Sequence, residues 1–346
     1  MTKGRLVWPD AARGVAVQSM FVAHVAPGGG VILLSEFLTA PLFALLVVVS
    51  LTLSWRNRRM AALTWYVVQA ARGGVLIILG MLLQMVYWQI AVVLQALGVL
   101  TIVAAAIVPV LAGRPVLCLL GALGIAIFTP LVIDFGRGLA VQGAFARWWV
   151  DILATGRAYR VFTFLGYGLL GIALLALIRR LDSARRAVVA ASAATVLAAG
   201  ILIVDQLTTA ELRTYAGTTR ETLFSMALAA AAVLWCVAAE RALGAARAER
   251  TLAPIVATGR MALTAYALQI VLLRVITDVF LGGGRDDHWW VLGVLTVSVV
   301  GFCWIWERLG WPRPLESLLR LPQRLVTRGS RTPASATLSG PTSGKS

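Results

Sequence analysis

Apolar residues in this chain gather into long unbroken runs, and polar residues mark the gaps between them. The runs fall near 11–27, 36–54, 64–83, 89–111, 116–133, 161–179, 187–205, 222–240, 254–277 and 289–307. Each is close to the roughly 20 residues that an α-helix needs to cross a bilayer core of about 30 Å. Inside the runs the apolar positions do not alternate with period two, which argues against a membrane β-barrel. The pattern predicts an all-α polytopic transmembrane bundle of about ten spans.

Composition agrees. Of 346 residues, 60% are hydrophobic and 13% charged, against about a quarter charged in soluble domains, and the mean hydropathy is +0.86. We expect one transmembrane domain over 1–328, without a soluble domain or internal repeat. The Ser-, Thr-, Gly- and Pro-rich stretch 329–346 reads as a disordered cytoplasmic tail. The basic start runs into the first apolar segment without a small-residue cleavage site, so it reads as a retained helix. Cys118, Cys236 and Cys303 lie in apolar runs with no paired spacing. They predict small core residues rather than disulfides or a metal site.

The net charge of +16 and the pI near 11.3 matter through their placement. Arginines punctuate the ends of runs instead of forming a basic domain, so topology explains them and no nucleic-acid partner is expected. With the N-terminus inside, the inner connections hold the Arg56–Arg59, Arg179–Arg186 and Arg241–Arg250 groups, and the outer ones are poorer in arginine. This predicts both termini cytoplasmic. Two outer segments exceed a simple turn. Residues 134–160 suit an interfacial helix with Trp148 and Trp149 at headgroup depth, and 206–221 suit a polar loop facing solvent or a soluble substrate. An ordinary connector is the alternative for both.

The first run opens with "DAARGVAVQSMFVAH". Asp10 and Arg13 are three residues apart and can pair. Arg13 and His24 are eleven apart, three turns with little residual rotation, so all three share one face over about 16 Å. Ionisable groups in a membrane line a bundle interior or a cavity and are functional candidates. A topological anchor at headgroup level is the plainer alternative.

The acid, the arginine and a histidine eleven residues later resemble the opening of polytopic membrane acyltransferases, both acyltransferase-3 proteins and heparan-α-glucosaminide acetyltransferase-like proteins. The stretches "APLFALLVVVSLTLS" (40–54), "ATGRAYRVFTFLGYGLLGIAL" (154–174), "TGRMALTAYALQIVL" (258–272) and "RPLESLLR" (313–320) resemble the bacterial YeiB-like branch of the second group. The chain departs from that pattern at Thr39, near the start of the second span, and at Arg160, where relatives carry proline. The resemblance implies a multi-pass protein of a bacterial plasma membrane that moves an acyl group, most simply acetyl, from cytoplasmic acyl-CoA. The acceptor would be a hydroxyl or amine of an envelope sugar or lipid-linked compound.

It further implies that His24 is the catalytic residue, as base or acyl carrier, flanked by Asp10 and Arg13. A phosphate-bearing donor calls for arginines facing a cavity: Arg13, Arg72 deep in the third span, and Arg260 at the start of the ninth. Arg274, near the outer end of the ninth span, reads as snorkelling. Gln95, Tyr266 and Gln269 are candidate substrate contacts or links between helices. "GGGRDDHWW" contains Asp286, Asp287 and His288, which supply too few placed ligands for a metal and read as a solvated loop. No metal is expected, membrane lipids and a small-molecule or glycan acceptor are the expected partners, and a homo-oligomer is left open. A secondary transporter or flippase, and a non-catalytic membrane protein, are the competing classes.

Overall fold

The computed structural model describes residues 6–28, 30–87, 90–208 and 212–323; the tail 329–346 lies outside them. The apolar runs become helices, with termini shifted by a few residues from the sequence expectation: α1 Trp8–Val25, α2 Leu34–Arg56, α3 Ala62–Val86, α4 Leu94–Leu111 and α5 Pro115–Gly138. Then follow the short α6 Ala144–Val150, α7 Val161–Ile178, α8 Ala184–Thr208 and α9 Thr219–Leu243. The chain continues through α10 Ala245–Thr251, α11 Ala253–Arg260, α12 Ala262–Phe280, α13 Trp289–Arg308 and α14 Pro314–Leu318. Among the described residues, nine helices are long and apolar enough to cross a membrane: α2 to α5, α7 to α9, α12 and α13. The chain is a multi-pass all-α bundle.

The tenth expected span is α1, which has 18 residues. Asp10, Arg13, Gln18, Ser19 and His24 lower its hydropathy, and it is not one of the nine. It lies inside, packed against α2, α9, α11, α12 and α13. That placement is what its ionisable residues require, because neighbouring helices can partner groups that lipid cannot. The other helices sort into an inner and an outer layer. The most apolar windows of α2, α7 and α9 are 61–67% buried, whereas those of α8 and α13 are 17% and 22% buried. The outer helices turn Leu117, Leu120, Val189, Val196 and Val297 outward, which suits hydrocarbon and not water.

Long-range hydrogen bonds define two ends of the bundle. At the end nearest the termini, the Val7 and Trp8 amides donate to Glu240 on α9 (3.0 and 2.6 Å), and Arg56 on α2 donates to the Ala112 carbonyl after α4. At the far end, the Tyr87 hydroxyl donates to Asp286 (3.1 Å), and Arg160 donates to the Tyr215 carbonyl (2.8 Å).

The expected ninth span, 254–277, is not one continuous helix. It divides at Met261 into α11 and α12. The amides of Leu263 and Thr264 donate to the Glu316 carboxylate of α14 (2.9 and 3.0 Å), and the Thr264 hydroxyl does the same (2.7 Å). A helix end inside the bundle exposes N–H groups that must be satisfied locally. Glu316 does this, so α14 is drawn against the bundle.

Glycine sets the crossing of α1 and α11. A Cβ on Gly259 would stand 1.8 Å from the Asp10 carbonyl oxygen, and one on Gly14 would stand 2.1 Å from that of Ile255. Small residues let membrane helices meet backbone to backbone. Gly259→Ala should force these helices apart, with overpacking costing about 1–3 kcal/mol. Thermal unfolding in detergent checks this against Gly200→Ala, where an added Cβ meets nothing within 4 Å. Equal melting temperatures for the two variants would show that the close approach is not needed.

At the far end one expectation gains detail and one changes. Residues 134–160 contain α6 and a π-helical turn at Asp151–Thr155, with Trp148 and Trp149 packed edge to face at 4.8 Å. The loop "GGGRDDHWW" is not simply solvated, because Asp286 is buried against Tyr87. Burial pushes the Asp286 carboxyl up from its ordinary range, partly opposed by the Tyr87 hydrogen bond.

Candidate functional site

The charged face of α1 meets α11 and α13 in one network. Asp10, 5% exposed, accepts from Arg13 Nη1 at 2.8 Å and pairs with Arg260 Nε at 3.2 Å. The i,i+3 pair expected from sequence therefore forms, and the Gly14–Gly259 crossing delivers a second arginine to the same carboxylate. Arg260 also pairs with Glu307 on α13 (3.2 Å) and with Glu249 on α10. Glu307 is shared with Arg313 (3.0 Å). Three arginines and three carboxylates thus balance one another. Arg260 faces three acids, so its charge is largely spent within the protein.

Beside this network lies a cavity of about 340 Å³. It is bounded by α1, α2, α3, α4, α11 and α12, with α14 at the terminal end. Arg13, Arg72, Arg260, Tyr266 and Glu316 all line it. Arg13, Arg72 and Arg260, separated by up to 247 positions in sequence, therefore converge as expected. Ser50 on α2 accepts from Arg13 Nη2 (2.6 Å). Among the described residues Arg72 bonds uncharged partners: the Leu319 carbonyl (2.8 Å), Gln69 (3.1 Å) and Gln323 (2.9 Å). Its positive charge in the wall is therefore not cancelled as that of Arg260 is.

At the other end of the cavity stands Tyr266, 3% exposed. Its hydroxyl accepts from the Val93 amide (3.1 Å). Three residues on, about one helical turn, fully buried Gln269 bonds the ring of His24, Nε2 to Nδ1, at 2.7 Å. His24 itself does not line the cavity; it sits one turn past the tyrosine. Gln95 lies away from both, against Gly80 at the crossing of α3 and α4.

A polar cluster at the far end escaped the sequence reading. Thr218 caps α9 by accepting from the Glu221 amide (3.2 Å), a capping-box spacing within "TTRE". The Glu221 carboxylate reaches back to the amides of Tyr215 (2.6 Å) and Gly217 (2.5 Å). This folds 212–218 against Arg160, so the segment expected as a polar loop is ordered there. Gly217 has φ of +75°, and a Cβ there would press on Ile133 and Arg160, hence glycine. Burial lowers the Arg160 pKa, opposed by Glu221. It also pushes the Tyr215 phenol up to about 12, leaving it a neutral donor.

Glu249, Glu307 and Glu36 were likewise not singled out in the sequence, and Arg313 and Glu316 stood out there only as part of "RPLESLLR". The one available signal was acids standing within otherwise basic connections, which suggests partners rather than topology. Thr39 is buried and donates to Ser19 on α1 (2.9 Å) or to the Ser35 carbonyl (2.7 Å), so the departure there is accommodated as a link between α1 and α2. Arg274 pairs with Asp278 one turn on (2.7 Å).

No curated protein matches the chain. Residues 172–323 match a family described as "Protein of unknown function (DUF418)", a stretch that takes in Arg260, Tyr266, Gln269 and Glu316 but not His24 or Arg72.

Proposed function

We propose that the protein is a membrane acyltransferase that takes an acyl group from acyl-CoA at its terminal, cytoplasmic end and passes it to a hydroxyl or amine compound at its far end. One observation carries this reading: a single cavity has arginines at one end and Tyr266 at the other, one turn below the His24–Gln269 pair. The phosphates of the donor would be held by Arg13 and Arg72 through charge-assisted hydrogen bonds. Its acyl end would extend towards Tyr266.

In this reaction the acceptor oxygen or nitrogen attacks the thioester carbonyl. Its proton passes to His24, the C–S bond breaks, and the thiolate of coenzyme A takes that proton from His24. The Tyr266 hydroxyl, which spends a lone pair on Val93, keeps its own proton for the developing oxyanion. Asp10 acts by holding Arg13 and Arg260, and not on the reacting atoms.

Arg72→Gln should weaken acyl-CoA binding about tenfold or more, since a hydrogen bond to a charged partner contributes about 1.5–3 kcal/mol. Calorimetric titration of purified protein with acetyl-CoA checks it. Unchanged affinity would leave Arg72 only its role of tethering α14.

One observation favours the transporter reading, the helix broken at Met261, because discontinuous helices line substrate paths in many carriers. Its free amides are already taken by Glu316. Acetyl transfer by reconstituted protein with no movement of labelled acceptor across the vesicle would decide for the enzyme.

A further inference from the structure

The far-end cluster encloses a small pocket of its own, of about 30 Å³, lined by Glu36, Arg160, Thr163, Tyr167, Tyr215 and Glu221 among others. That is room for about two waters or a pair of hydroxyl groups. Its polar groups are incompletely satisfied. Arg160 is 6% exposed and Thr163 is 7% exposed, yet Arg160 Nε and Thr163 Oγ1 have no hydrogen-bond partner among the described residues. A buried donor left in that state costs free energy, so a partner from outside the chain is expected there. Glu221 is different: both its oxygens are taken by backbone amides. Glu36 lines the same pocket and brings a second carboxylate.

We propose that this pocket takes a pair of hydroxyl groups of a sugar or other neutral polyol, through Arg160, Thr163 and Glu36. The chemistry selects the class. Arg160 Nε–H needs an acceptor, and the half-exposed Glu36 carboxylate can take a donor. A hydroxyl supplies both a lone pair and a proton, and vicinal hydroxyls supply them at neighbouring positions. An acid would satisfy Arg160 but would meet Glu36 and Glu221, two negative charges against one positive. An ammonium would satisfy Glu36 but offers Arg160 nothing.

Contacts also link the pocket to the wall of the large cavity. Tyr215 packs edge-on against Tyr159 at 6.0 Å, and the Tyr159 hydroxyl donates to the Ala91 carbonyl (3.1 Å). Ala91 is two residues before Val93, whose amide holds Tyr266. On the other side, the Ser19 hydroxyl of α1 donates to the carbonyl of Ser35, the neighbour of Glu36 (3.0 Å), and His24 follows five residues later on α1. Two tyrosines and one turn of α1 therefore separate the pocket from the proposed chemistry. As the acceptor site it rests on the acyl-transfer reading; as a polyol site it does not.

The test uses purified full-length protein and saturation-transfer NMR with four neutral probes: glycerol, methyl glucoside, methyl galactoside and methyl N-acetylglucosaminide. Glucuronate and methylammonium are the charged comparisons. At least one neutral probe should bind. Its affinity should fall about tenfold or more in Glu36→Gln and in Thr163→Val, the loss of one hydrogen bond to a charged or buried group. Glu36→Gln keeps the side-chain shape, so a folding defect is not expected, and its melting curve monitors this. Acetyl-CoA titration of the same variants should give the wild-type affinity. Absence of binding by all four probes, with the pocket then holding water only, would overturn the assignment. So would tighter binding of glucuronate, or neutral binding unaffected by both substitutions. Polyol binding by a protein with no affinity for acetyl-CoA would overturn acyl transfer while supporting the pocket.

Discussion

On the acyl-transfer reading, His24→Ala yields a folded protein that binds acyl-CoA normally and transfers acyl groups about 10²–10⁴-fold more slowly, the usual loss of a general base. Retained binding is expected because His24 lies past Tyr266 and does not line the cavity where the donor would sit. Among the described residues its ring bonds Gln269 across helices, and that contact controls which nitrogen can act. If the amide oxygen faces Nδ1, the ring proton lies on Nδ1 and Nε2 keeps a lone pair for the acceptor's proton. The structure has the amide nitrogen on Nδ1, which puts the proton on Nε2 and withholds the base until the amide turns over. Gln269 is thus a positioning residue. Gln269→Glu should fix the productive tautomer and raise the histidine's pKa, moving the acid limb of the pH–rate profile to higher pH. Gln269→Leu should lower kcat with little change in the KM for acyl-CoA. Initial rates across pH for the three variants provide the measurement. Full activity in His24→Ala would sink the catalytic assignment, and an unchanged pH limb in Gln269→Glu would separate the pair from the chemistry.

Nearly all of the bundle could be read from the chain, because the constraint that shapes it is simple. A backbone in lipid must close its own hydrogen bonds, so each apolar run of sufficient length becomes a helix. Two of the departures have local causes. The break at Met261 falls beside Arg260 inside a run that is apolar on average, so hydropathy alone does not mark it; it depends on a carboxylate 53 residues after Leu263 to accept the released amide. The order in 212–218 follows from Glu221 folding back on Tyr215 and Gly217, a contact that polarity alone would not suggest.

The site was legible where residues share a helix and obscure where they do not. The Asp10–Arg13 pair follows from i,i+3 geometry. That Arg13, Arg72 and Arg260 meet at one cavity was a guess from chemistry, and the structure brings them together. Their inequality was invisible. Arg260 is enclosed by Asp10, Glu249 and Glu307, while Arg72 bonds carbonyl groups and amides. Sequence gives the identity of a cation but not the count of carboxylates around it. Gln269, a candidate substrate contact or link between helices, forms such a link in the structure, and its partner is His24.

The six-charge network has the largest expected effect on stability. Asp10 is its centre: its carboxylate holds Arg13 at one oxygen and Arg260 at the other, with the Arg260 side chain 10% exposed. Removing one member of a buried ion pair costs about 3–5 kcal/mol, because the remaining charge stays desolvated. Here the lower end applies. Arg260 keeps Glu249 and Glu307, and the Arg13 side chain is 30% exposed and retains Ser50. Asp10→Ala should therefore lower stability by about 3 kcal/mol. Arg260→Gln alone should also destabilise, leaving three acids short of a partner. The double variant Asp10→Ala/Arg260→Gln should be less destabilised than the sum of the single changes, since each loss removes part of the other's uncompensated charge. Thermal and denaturant unfolding in one detergent, with all three variants measured together, gives that coupling. Strict additivity would mean that Asp10 and Arg260 do not feel each other, and that the α1–α11 crossing is held by its glycines alone.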